Sequence, residues 1–154
     1  MNATLPMERS RQAGPSARAA AYVVMSAVVL SVVLAVAAII DQAGGRSLAD
    51  HATAVYAPYG KEPDPNLLYG LVYTVAAVGA VLWLLVVRAV RSRSRLALAL
   101  DIVMVTITAA PAVLLLVSTE YGQQIFPPLW GVLALLPPAA GVIAAVLLSR
   151  GQGS

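Results

Sequence analysis

The chain has 154 residues, 60% of them hydrophobic and only 11% charged, with a net charge of +3. A water-soluble domain carries about 25% charged residues, so a soluble surface is excluded and lipid is the expected solvent. With no cysteine and one histidine, His51, the chain can form no disulfide or thiolate metal site, and one copy cannot supply a multi-histidine metal or haem site.

Residues 1–17 are polar, mixed in charge and broken by Gly14-Pro15, and are expected to be a disordered cytoplasmic tail. Four apolar runs follow, at about 19–40, 67–87, 96–118 and 125–148. A span needs about 20 residues at 1.5 Å each, and backbone groups in lipid must bond within their own segment. The predicted fold is therefore an all-α membrane protein: a four-transmembrane-helix bundle over 18–149, with a second short tail at 150–154. The first run ends near Ala35-Val36-Ala37, which resembles a signal-peptide cleavage site. The apolar stretch is already long before it and continues through Ile40, so an uncleaved helix is expected.

The link between the first two spans, 41–64, is the only sizeable loop. Ser47 and Asp50 have the spacing of a capping box, and Leu48, Ala52, Val55 and Tyr56 share one helical face before Pro58. They predict a short interfacial helix lying on the membrane. Asp50 and His51 are neighbours in that helix and point about 100° apart, so they do not form a catalytic pair. His51 and Glu120 remain as candidate outer-face groups. Asp64-Pro65 opens the second span with an N-cap residue and a proline at the first helical position.

Arg88, Arg91, Arg93 and Arg95 fill the link between the second and third spans. The cluster is expected to anchor to anionic headgroups; it has no stacking aromatics, so nucleic acid is not an expected partner. Small residues recur at helical spacing in Ala27-Ser31-Ala35, Ala76-Ala80 and Gly141-Ala145, and point to close helix packing without naming the pairs.

The third span holds Asp101, six residues past Arg95 and so about 9 Å further along the helix axis. A carboxyl inside the hydrocarbon costs up to about 3 kcal/mol and cannot reach far towards water, so it should face protein. Arg95 is about 240° away round the helix, whereas Arg18 and Arg88 end neighbouring spans at similar depth. The first expectation is a clamp from Asp101 to Arg18 or Arg88. The second is a polar site formed by Asp101 and Thr108, which share a face with Met104 and Pro111. Pro111, and Pro137-Pro138 in the fourth span, should kink their helices and free carbonyls four residues earlier.

If the helices alternate, Arg9, Arg11, Arg18, the four-arginine link and Arg150 share one side. The other side holds Arg46 and Lys61 with five acids and most of the tyrosines. The positive-inside rule then predicts both termini in the cytoplasm and aromatic belts at the interfaces. Nine arginines against one lysine, with much Ala, Gly and Pro, is the bias of a GC-rich genome, and the expected location is a bacterial cytoplasmic membrane.

The order "YAPYG", "PDPNLLYG", "EYG", "PPLWG", "LPPAAG" resembles a group of uncharacterised small four-helix membrane proteins of GC-rich bacteria, over about residues 20 to 149. That resemblance implies the fold and no activity. Small multidrug exporters depend on a glutamate in the first span, which has no acid here, and vitamin K epoxide reductase-like proteins need cysteines. The expected function is a non-enzymatic accessory or scaffold subunit, binding partner helices or a second copy of itself. A proton-coupled carrier using Asp101 and Thr108 is the alternative, and a membrane enzyme acting on a lipid-like substrate with His51 and Glu120 is the third. No cofactor or metal is expected.

Overall fold

The computed structural model describes residues 15–152, so most of the expected N-terminal tail lies outside the described residues. In chain order the elements are α1 (Pro15–Ile40), a wide turn (Asp41–Gly45), α2 (Ser47–Tyr56), α3 (Pro65–Arg91), α4 (Ala97–Val117), a two-residue-per-strand ribbon of β1 (Thr119–Glu120) and β2 (Gln123–Gln124), and α5 (Pro128–Gln152). Of these, α1, α3, α4 and α5 are long and apolar enough to cross a membrane. Their outward faces carry Val29, Val36, Leu84, Ile102, Leu114 and Ile143, all at least 44% exposed. Such continuous apolar cover on every helix is what a lipid-facing surface requires. This is a multi-pass membrane protein.

α1 packs against α3 and α5, and α4 packs against α5; α3 and α4 meet along much less of their length. The core divides into two stacked clusters. One joins Leu34 and Ala38 of α1, Leu68 to Ala76 of α3, Ala112 and Leu115 of α4, and Trp130 and Ala134 of α5. The other joins Ala20 to Ala27, Trp83 to Val90, Ala97 and Met104, and Ala140 and Ala144. Late α1 thus meets early α3, late α4 and early α5, so successive helices run in alternate directions. The first cluster lies at the loop end. The second lies at the end where Arg18, Arg88, Arg91, Arg95 and Arg150 stand.

Two helix ends differ from the expected tails. α1 begins at Pro15 and α5 continues to Gln152, so 15–17 and 150–152 are helical. Proline in a first turn sacrifices no hydrogen bond. Ser16 lies directly beside Gly151, where a Cβ would approach its Oγ to 2.8 Å, so the two ends extend by packing on each other. α5 starts at Pro128 rather than 125, because Ile125 still donates its N–H to Ser118 O (3.1 Å) across the ribbon.

The N-terminus of α2 is built differently from the expected capping box. Asp41, not Ser47, supplies the acceptor: its carboxylate takes the N–H of Ser47 (2.9 Å), the hydroxyl of Ser47 (2.6 Å) and the N–H of Leu48 (3.1 Å). Tyr69 of α3 donates its hydroxyl to the same group at 2.7 Å. One carboxylate therefore satisfies orphan donors of α2 and ties α1, α2 and α3 together. Tyr73 adds a second link, donating to Gln42 Oε1 at 2.6 Å.

Candidate functional site

Three places in the fold hold the residues singled out by sequence: the arginine-end core, the α3–α4 crevice and the loop end.

Asp101 sits in the arginine-end core. Its helical neighbours Ala97 and Met104 belong to that apolar cluster, and its own side chain is 0% exposed. Neither carboxylate oxygen has a hydrogen-bond partner among the described residues. The expected clamp to Arg18 or Arg88 is not formed: both arginines are exposed. The reason is azimuth. The core face of α1 runs through Ala20, Val24 and Ala27, and Arg18 lies about 160° from Ala20 round the helix. On α3, Arg88 falls on the side opposite Trp83, Val86 and Val90. Both point away from the core.

Thr108 stands two turns from Asp101 on the same face, and is 8% exposed. Its hydroxyl donates to Met104 O of its own helix at 2.7 Å, so it is not joined to Asp101. It lines a cavity of about 280 Å³ in the crevice between α3 and α4, with Ser31, Gly79, Trp83, Pro111 and Pro137. Ser31 is likewise turned onto its own helix, bonding Ala27 O at 2.9 Å. The cavity is apolar in character, and Asp101 does not line it. The three mid-helix prolines, all inside α4 and α5, form part of its wall.

At the loop end the candidates His51 and Glu120 both bind α2 to the ribbon. His51 Nε2 donates to Gln124 O at 2.9 Å; a carbonyl only accepts, so Nε2 carries the proton. Glu120 accepts the hydroxyl of Tyr56. At the ribbon tip, Tyr121 stacks on Tyr59 with centroids 3.8 Å apart and accepts from Lys61 Nζ at 2.6 Å. Glu120 and His51 thus have structural partners of their own and do not face each other as an acid–base set. Among the described residues no group of three or more His, Cys, Asp or Glu is placed to hold a metal ion.

The Glu120 carboxylate holds the Tyr56 proton and, with burial, pushes that hydroxyl from its ordinary 10.0 up to about 12. A raised acid of this kind adds stability that is fully present below pH 10.0 and fades as pH climbs through about 12. Tyr56→Phe should therefore lower the melting temperature near neutrality by roughly 3 °C, the worth of about 1 kcal/mol. The difference from the parent protein should vanish between pH 10.0 and about 12. Melting curves in mild detergent across that range check it.

Two parts of this arrangement have sequence signals that were missed. Tyr121-Gly122 has positive φ at both positions, 53° and 78°, as a two-residue hairpin turn requires. An X-Gly pair after β-branched Thr119 was the available sign. The positive-inside arrangement predicts aromatics at the interfaces, yet Trp83 is 0% exposed and belongs to the core; only its place on the buried azimuth of α3 reveals that. No protein-family model, curated protein or solved structure matches the chain, so function is read from its own residues.

Proposed function

We propose that this chain is a non-enzymatic accessory or scaffold subunit of a bacterial cytoplasmic membrane, with both termini in the cytoplasm, that packs against partner helices or a second copy of itself. The concentration of arginines at one end of the bundle supports that orientation through the positive-inside rule. Short interfacial α2, apolar on its inner face through Leu48, Ala52 and Val55, lies over the outer end of the bundle in this reading.

The observation that carries the partner-binding role is a flat strip on the outside of α3. Gly70, Thr74, Ala77 and Val81 lie about 180° from the core-facing Gly79 and Val72. A Cβ added at Gly70 would meet nothing within 4 Å, so nothing inside the chain requires glycine there. Glycine in a helix otherwise costs about 0.5–1 kcal/mol. Small residues at this spacing let a second helix approach closely in lipid, where packing rather than hydrophobicity drives association. Gly70→Leu should leave the isolated protein as stable as the parent, or more so, and lower its association at least tenfold, read by chemical cross-linking in native membranes and native mass spectrometry. Unchanged association would refute the assignment of this face.

Asp101 favours a second reading, a proton-coupled carrier. An intramembrane carboxyl without a partner is a functional candidate by default, and the prolines beside Thr108 supply kink points in the crevice wall. Loss of proton-linked flux in Asp101→Asn proteoliposomes, with expression intact, is its signature.

A further inference from the structure

The cavity beside Thr108 has a neighbour in the crevice between α3 and α4. A second cavity of about 200 Å³ lies beside the first and shares Leu71, Val75 and Pro111 with it, ending at Ser118 and Phe126. Together they make a groove that begins at the loop end and stops at Trp83. From Leu71 to Trp83 is twelve residues of α3, or about 18 Å. Half of a hydrocarbon core about 30 Å thick is about 15 Å. The groove is as deep as one leaflet.

Its lining is mostly apolar, through Leu71, Val75, Ile107 and Leu114, which suits one hydrocarbon chain. The wall hydroxyls of Ser31, Thr74 and Thr108 are bonded to their own helices, and Trp83, whose indole Nε1 has no partner among the described residues, closes the deep end. The mouth opens sideways to lipid, past Leu71, Val78 and Ile107, each at least 43% exposed.

Charge at the outer end selects the headgroup. Asp64, the exposed N-cap of α3, lies two turns before Leu71 and so on nearly the same side of the helix. Glu120 follows Ser118, which lines the other wall. Glu62 is exposed on the same link. The nearby cation, Lys61, keeps its charge beside the Tyr121 hydroxyl, but the three carboxylates outnumber it. An acidic rim repels an anionic headgroup and attracts an ammonium.

We propose that the α3–α4 groove is a lipid site that holds one tail of an amine-headed phospholipid taken from the leaflet at the loop end, with the ammonium among Asp64, Glu62 and Glu120. This site borders the outward strip of α3 at Thr74 and does not depend on the partner-binding reading.

Full-length protein would be placed in nanodiscs containing equal parts phosphatidylethanolamine and phosphatidylglycerol, then released for native mass spectrometry. The expected result is one retained phosphatidylethanolamine per chain. Val75→Trp, which fills the groove where the two cavities join, should lower retention at least tenfold; Val81→Trp, on the outer face, should not. Asp64→Asn keeps a good N-cap and leaves the groove untouched, so it should flatten the headgroup preference even where Val75→Trp fails to fold. Equal retention by the two tryptophan variants, a preference for phosphatidylglycerol, or a photo-cross-linker at Val78 that captures polypeptide instead of lipid would each overturn the proposal.

Discussion

Asp101→Val is expected to make the protein more stable, by about 1–2 kcal/mol, or roughly 3–6 °C in melting temperature. The carboxyl is 0% exposed, lies within an apolar cluster, and has no hydrogen bond to either oxygen. Leaving a buried polar group unpaired costs about 1–3 kcal/mol by mutational measure. Valine is close to aspartate in volume, so the gain is not cancelled by overpacking, and its loss of helix propensity is a few tenths of a kcal/mol. Asp101→Asn is the control: it keeps the size and the unmet polar atoms, so its stability should match the parent. Thermal melts in one detergent measure all three. The two variants then separate the functional readings. A carrier loses proton-linked flux in both, whatever happens to stability; a scaffold keeps its partner in both. A marked loss of stability in Asp101→Val would mean that the carboxyl has a structural partner, and the clamp expected from sequence would return in another form.

That clamp shows where sequence is legible and where it stops. The four spans follow from length and apolarity alone, since lipid forces every run of about 20 apolar residues to bond internally as helix. The depth of Asp101 follows from counting residues. What counting depth omits is direction. Counting puts Arg18 and Arg88 near the level of Asp101, yet the same 100° per residue that separates Arg95 from Asp101 also turns Arg18 and Arg88 away from the core. The information was in the sequence; it needed the buried face of each helix to be chosen first, and in helices apolar all round that face is not marked by polarity. Asp41 is different. Its role depends on a wide turn bringing Ser47, Leu48 and Tyr69 to one carboxylate. Ser47 and Asp50 offered a conventional cap that the fold does not use. The α3–α4 groove is a property of three-dimensional spacing between helices, and only its prolines were visible beforehand.

Gly141→Ala should be among the most damaging single-methyl changes in the chain, costing about 2–3 kcal/mol. A Cβ at this position would stand 2.6 Å from Val105 Cγ2 and closer still to the Trp83 ring at Cη2. Trp83 is 0% exposed and borders the cavity of about 280 Å³, so either its ring is pushed into that cavity or α5 moves away from α3 and α4, and both loosen the arginine-end core. The same substitution at Gly70, where a Cβ meets nothing, should be neutral or stabilising by about 0.5–1 kcal/mol. Opposite signs for the same chemical change isolate packing from helix propensity. A double-mutant cycle makes the assignment specific: Trp83→Phe removes the ring atoms that Gly141 faces, so Gly141→Ala should cost at least about 1 kcal/mol less in that background. A Gly141→Ala that is silent in both the parent and the Trp83→Phe background would mean that α5 sits in a different rotation, which would also displace Ala140 and Ala144 from the cluster around Asp101. The glycine thus tests the same helix rotations that leave the carboxyl without a partner.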